Sequence, residues 1–97
     1  MNALTVVATI IAKPGAEAQV EQALLALIPP TRKEPGFIQY DLHRHIENPG
    51  VFVFYENWES RALLEQHLQS PHLAEFIAKT EGLLDTLDIK MMHRIGA

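Results

Sequence analysis

The chain contains no cysteine, which excludes disulfides, thiolate-ligated zinc and thiol nucleophiles together. Positive charge is sparse as well. Eight Lys and Arg against twelve Asp and Glu leave a formal charge of −4, with a pI near 5.6. The bases are scattered, so there is no electrostatic footprint for nucleic acid or an anionic membrane, and neither is expected as a partner. A long apolar run is also missing. Leu4 to Ala12 is too short to span a bilayer and lacks the basic start and cleavage site of a signal peptide, so the expected location is cytoplasmic. No flavin or nicotinamide fingerprint, Gly-rich phosphate loop or metal motif is present, and no cofactor is expected.

What remains is 97 residues, enough for one domain, residues 1–97. A chain this short buries only about 60–65% of its unfolded surface, so self-association is an effective way to enlarge the core. A homodimer, or a higher oligomer, is expected.

Leu4 to Lys13 is rich in Val, Ile and Thr, which suits a strand buried on both faces, and Pro14-Gly15 ends it. From Ala16 the spacing turns helical, with Val20, Ala23, Leu24, Leu27 and Ile28 on one side, until Pro29-Pro30 ends or kinks the helix. Phe37 to Ile46 and Val51 to Trp58 alternate as strands, and Asn48-Pro49-Gly50 between them makes a hairpin. Ser60 is a helix N-cap ahead of the stripe Leu63, Leu64, His67 and Leu68. Ser70-Pro71 starts a second helix with Leu73, Phe76, Ile77 and Thr80 inward, ending near Gly82. Leu87 to Ile95 is the last strand. The order β-α-β-β-α-β is the ferredoxin-like plan, an α+β fold with an antiparallel sheet covered by helices on one face. The other face would then meet its copy in a second subunit.

The most informative stretch runs from Glu56 to His72, where strand hands over to helix. Strand alternation puts Phe52, Phe54, Glu56 and Trp58 on one face, and helical spacing points His67 inward. If helix packs on strand, Glu56, Trp58 and His67 line one pocket. An imidazole on an apolar stripe is either a neutral core residue, bonded to a backbone carbonyl or to Glu56, or a base that works near neutral pH. Glu56 among aromatic rings must be paired, since burying an isolated charge is costly, and His67 or an Arg are its candidate partners. Trp58 is a core ring or a ring-positioning donor. Tyr40 is a core ring with its hydroxyl at the rim or a donor to a substrate oxygen. His43 and His45 share a strand face, yet no third ligand accompanies them, so no metal site is assigned. His72 reads as a surface or pocket-rim residue, and Phe76 as core that also touches ligand.

Lys13-Pro14-Gly15, Glu34-Pro35-Gly36 with Tyr40, Asn48-Pro49-Gly50, Tyr55-Glu56-Asn57-Trp58-Glu59-Ser60, and His67 with Ser70-Pro71-His72-Leu73 together resemble the antibiotic biosynthesis monooxygenase family of dimeric α/β barrels. The resemblance covers nearly the whole chain and is in particular to the small bacterial members described as quinol monooxygenases. It implies that Trp58 and His67 line the cavity between sheet and helices, and that Glu56 occupies the acidic position before the tryptophan. The family also holds haem-degrading enzymes, but their first-strand asparagine corresponds to Ala8 here. Phe37 stands where related sequences carry a cysteine.

The implied activity is oxidation of a small phenolic or quinol-type aromatic by O2 without a prosthetic group, the substrate itself supplying the electrons. His67 would be the base, Glu56 would orient its imidazole, and Trp58, Tyr40, Phe54 and Phe76 would hold the ring. Two alternatives use the same pocket: an isomerase or tautomerase of a small metabolite, and a non-catalytic small-molecule binding protein.

Overall fold

The computed structural model describes residues 3–96. Its elements run β1 (Leu4–Ala12), α1 (Glu17–Leu25), α2 (Ile28–Thr31), β2 (Phe37–Arg44), β3 (Val51–Trp58), α3 (Arg61–Leu68), α4 (Pro71–Lys79) and β4 (Leu84–Met92). The four strands form one antiparallel sheet in the order β2-β3-β1-β4. This is the ferredoxin-like α+β arrangement read from the sequence. None of the helices of the described residues is long and apolar enough to cross a membrane.

Strand alternation decides which side chains the helices cover. Leu4, Val6, Ala8, Ile10 and Ala12 of β1 are buried, and their neighbours in register, Phe52, Phe54, Glu56 and Trp58 of β3, are buried with them. From the helices, Val20, Ala23, Leu24, Leu64 and Phe76 close the same core. Removing a fully buried side chain of this kind from water stabilises by about 1.5–3 kcal/mol.

The opposite face of the sheet is mixed. Thr5, Val7, Thr9 and Ile11 are only half-buried, so β1 is not enclosed on both faces as its composition suggests. Tyr55 and Met92 on this side are exposed. Across it runs a polar row: Thr5 Oγ1 bonds Asn57 Oδ1 at 2.6 Å, Asn57 Nδ2 donates to Gln39 Oε1 at 2.8 Å, and Gln39 Nε2 donates to Asp41 Oδ2 at 2.8 Å.

Local chemistry sets the boundaries. Ser60 and Ser70 cap α3 and α4, each hydroxyl accepting a backbone N–H three residues on. Asn48 Oδ1 accepts from Gly50 N at 3.0 Å inside the β2–β3 turn. Pro29 and Pro30 do not simply end the first helix: α1 stops at Leu25, and the prolines open the single turn α2, where a missing N–H is no loss. The last strand begins at Leu84, three residues earlier than the pattern suggests, and Ile77, expected inward, is 55% exposed. Only Phe76 and Thr80 of that stripe are buried, because α4 turns a narrow edge to the core.

One glycine positions the later site. Gly36 has φ +85 and lies so close to α3 that a Cβ there would come within 2.5 Å of Leu63 Cδ1. Its carbonyl accepts from Glu59 N at 2.9 Å. The Glu34-Pro35-Gly36 turn is thereby pressed against the start of α3. Gly36→Ala should destabilise by about 2–4 kcal/mol, combining left-handed backbone strain with overpacking, whereas Gly82→Ala, with similar strain in open space, should cost about half as much. Thermal melts of the two variants compare them directly.

Candidate active site

Trp58 and Glu56 end β3 on its buried face, and Tyr40 stands opposite Glu56 in the β2–β3 register. On α3, Leu64 and His67 are three apart and share the buried side. The rings therefore converge. Trp58 lies 4.6 Å from His67 between ring centroids, Tyr40 meets His67 edge-on at 5.4 Å, and Tyr40 stacks on Phe54 at 4.3 Å. Trp58 is 0% exposed and His67 2%. Phe76 is buried on α4 but makes no ring pairing with this cluster among the described residues.

The hydrogen bonds differ from the pairing expected of Glu56 and His67. Glu56 Oε1 accepts from Trp58 Nε1 at 2.9 Å. The two side chains are neighbours on one strand face, so the indole is the nearest donor. His67 instead joins Glu34: its Nδ1 lies 2.7 Å from Glu34 Oε2, and His72 Nε2 reaches the same oxygen at 2.6 Å. A carboxylate only accepts, so each imidazole donates to it, and this bond assigns His67 the tautomer with Nε2 unprotonated.

Glu34 was hidden in the sequence as part of a turn, and His72 read as a rim residue. The spacing H-L-Q-S-P-H, two histidines flanking a capped helix corner, was the available signal. Nothing local marked a glutamate more than thirty residues upstream. Glu34 and His72 are the accessible side of the cluster, their side chains 14% and 18% exposed.

Burial shapes the protonation states. It pushes the Glu56 carboxyl up to about 7, the charge of Glu34 adding to the rise and the Trp58 N–H opposing it. Burial holds His67 below its ordinary value, with the Glu34 bond opposing and His72 reinforcing, so the imidazole is neutral at pH 7. Tyr40 is raised far above the usual phenol range by burial and then by Glu56, and stays a protonated donor. Thr31 Oγ1, fully buried, lies near that phenol yet closes no hydrogen bond among the described residues.

His43 and His45 do not converge on a ligand. His45 Nδ1 accepts from Glu47 N at 3.0 Å and Asn48 N at 3.1 Å, which commits it to the hairpin turn. The cluster at the other end of β3 sets an unprotonated His67 Nε2 and the protonated Tyr40 phenol among the rings of Trp58 and Phe54.

A raised carboxyl pKa means that the folded state binds a proton the unfolded state has already lost between about pH 4.5 and 7. Stability contributed by this group is thus present at low pH and lost as pH rises through that window. Glu56→Gln, which keeps an acceptor for Trp58 Nε1, should gain stability over the parent as pH rises from 4.5 to 8, by an amount on the order of 1–3 kcal/mol. Urea unfolding at the two pH values measures it.

Comparison with known proteins follows the same outline. The family model "Antibiotic biosynthesis monooxygenase" matches residues 3–79. The uncharacterized protein sll1783 of Synechocystis is 33% identical over 81 residues, 84% of this chain, which spans only 55% of that protein's length. The "Probable quinol monooxygenase YgiN" of Escherichia coli is 32% identical, with 93% of this chain and 96% of that protein covered. The crystal structure of PA3566 from Pseudomonas aeruginosa superposes with a TM-score of 0.94 at 36% identity, over 99% of this chain and 97% of that one. A sheet, a helical layer and a sequence that all agree over this span lead to one conclusion: the chain belongs to the antibiotic biosynthesis monooxygenase family.

Proposed function

We propose that the protein is a cofactor-independent monooxygenase that oxidises a small phenolic or quinol-type substrate with O2, working as a homodimer. The observation that carries this reading is the buried, neutral His67, fixed through Nδ1 by Glu34 and flanked by Trp58 and Tyr40. The similarity to a protein named for quinol oxidation supports the substrate class.

In this mechanism the substrate ring lies against Trp58, Phe54 and Tyr40, with Phe76 closing the core behind the site. His67 Nε2 takes the phenolic proton, and Glu34 stabilises the imidazolium that forms. Tyr40, protonated throughout, donates to the developing oxyanion. The electron-rich anion passes an electron to O2 and recombines with the product. For a simple quinol the balance closes as quinol plus O2 giving hydroxyquinone plus water: one oxygen atom enters the ring, the other leaves as water, and the substrate supplies all four electrons. Glu56 is a separate group in this scheme, held by Trp58 rather than orienting the base.

The dimer reading rests on the open sheet face, where Val7, Ile11, Tyr55 and Met92 lie in register beside the polar row. A stable contact there buries more than about 1,000 Å².

A second reading has its own support. A carboxyl group raised to about 7 and a neutral imidazole, both against the Trp58 indole, supply the acid and the base that an isomerase or tautomerase uses without oxygen.

Incubation with hydroquinones, naphthols and polycyclic phenols should consume O2 and place label from ¹⁸O₂ in the product. Equal turnover under strict anaerobiosis would transfer the assignment to the isomerase reading, and no turnover on the whole panel would leave a binding protein. His67→Ala should retain the fold by circular dichroism and lower kcat/KM by about 10²–10⁴. Light scattering at micromolar concentration should give twice the chain mass; a monomer would remove the sheet-to-sheet dimer.

A further inference from the structure

Glu34, His67 and His72 together form a second kind of site. Each offers one ligand atom, and the three atoms all lie within 4.8 Å of one another. One carboxylate oxygen is shared by two imidazole nitrogens, at 2.7 and 2.6 Å. We propose that this trio binds a divalent transition-metal ion, with Glu34 Oε2, His67 Nδ1 and His72 Nε2 as its protein ligands.

Three observations carry this. The donor set is two imidazoles and one carboxylate, which suits zinc and its first-row neighbours and leaves further positions for water. Ligands around such an ion stand about 3.0–3.5 Å apart, so the two hydrogen-bonded pairs open by less than about 1 Å while the two imidazole nitrogens, within 4.8 Å of each other, close toward the same spacing. The second observation is charge. Glu34 pairs with no Lys or Arg among the described residues; its partners are the two imidazoles alone. A partly buried carboxylate with no fixed cation beside it attracts one.

The third observation is rigidity with access. His67 ends α3 and His72 sits in the first turn of α4, next to Pro71 and the Ser70 cap, so the corner between two capped helices holds both rings. Glu34 precedes Gly36, whose backbone is pressed against Leu63. The buried His67 is the inner ligand, while the partly exposed Glu34 and His72 form the entrance.

This site does not depend on the proposed reaction. It does bear on it. An ion on His67 Nδ1 takes that nitrogen's lone pair, so the neutral ring carries its proton on Nε2, which then donates and cannot serve as the base. Occupancy would therefore restrain proton transfer.

The test uses the full chain without a histidine tag, stripped with chelator and titrated with Zn²⁺ by calorimetry and with Co²⁺ by visible absorption. The expected result is one ion per chain at micromolar affinity, with a Co²⁺ d–d spectrum. Glu34→Gln and His72→Ala should each weaken binding at least 10-fold, a conservative figure for loss of a ligand. His43→Ala should leave it unchanged. His72→Ala keeps the test sound if the Glu34 variant misfolds, because His72 is the most exposed of the three. No saturable binding in the parent protein, parental affinity in His72→Ala, or loss of binding in His43→Ala would overturn the site. Calorimetric binding is read without turnover, so a failure here and a failure of the oxygenase reading are told apart.

Discussion

A single carboxylate oxygen, Glu34 Oε2, ties three parts of the chain together: the turn before β2, the end of α3 and the start of α4. Without it the α3–α4 corner would face the sheet only through apolar contacts, which are non-directional and set distance rather than orientation. With it, the plane of the His67 ring and the direction of its free nitrogen are determined. The close approach of Gly36 to Leu63 supports this from below, by fixing the turn that delivers Glu34.

The same small region holds two carboxyl groups with different tasks. Glu34 is partly exposed and shared between imidazoles; Glu56 is buried at the end of a strand and satisfied by an indole. Burial, with the charge of Glu34 adding to it, pushes Glu56 toward the neutral form, whereas Glu34 keeps an accessible side.

Much of the fold was legible because it rests on local rules. Ser60 and Ser70 cap helices, Asn48-Pro49-Gly50 turns a hairpin, and strand alternation buries Phe52, Phe54, Glu56 and Trp58. The inward direction of His67 followed from helical spacing. What escaped was long-range or depended on edges. The partner of His67 lies across a turn far upstream, and no periodicity reports such a contact. Ile77 fits a helical stripe but α4 buries only part of it. In β1 the threonines that favour strand formation also line the half-open face, so composition overstated its enclosure. Glu56 was correctly recognised as needing a partner, and the partner was the nearest donor on its own strand face.

The Glu34 bonds close loops of 33 and 38 residues in sequence separation. Joining such distant points costs chain entropy that local turns do not, and the cost is recovered only when the intervening hairpin has already shortened the path. In the folded chain the β2–β3 hairpin and α3 supply that shortened path, so the cluster depends on how these two elements dock rather than on either alone. A chain arrested with its hairpin and helices formed but undocked would have most of its secondary structure and none of its site.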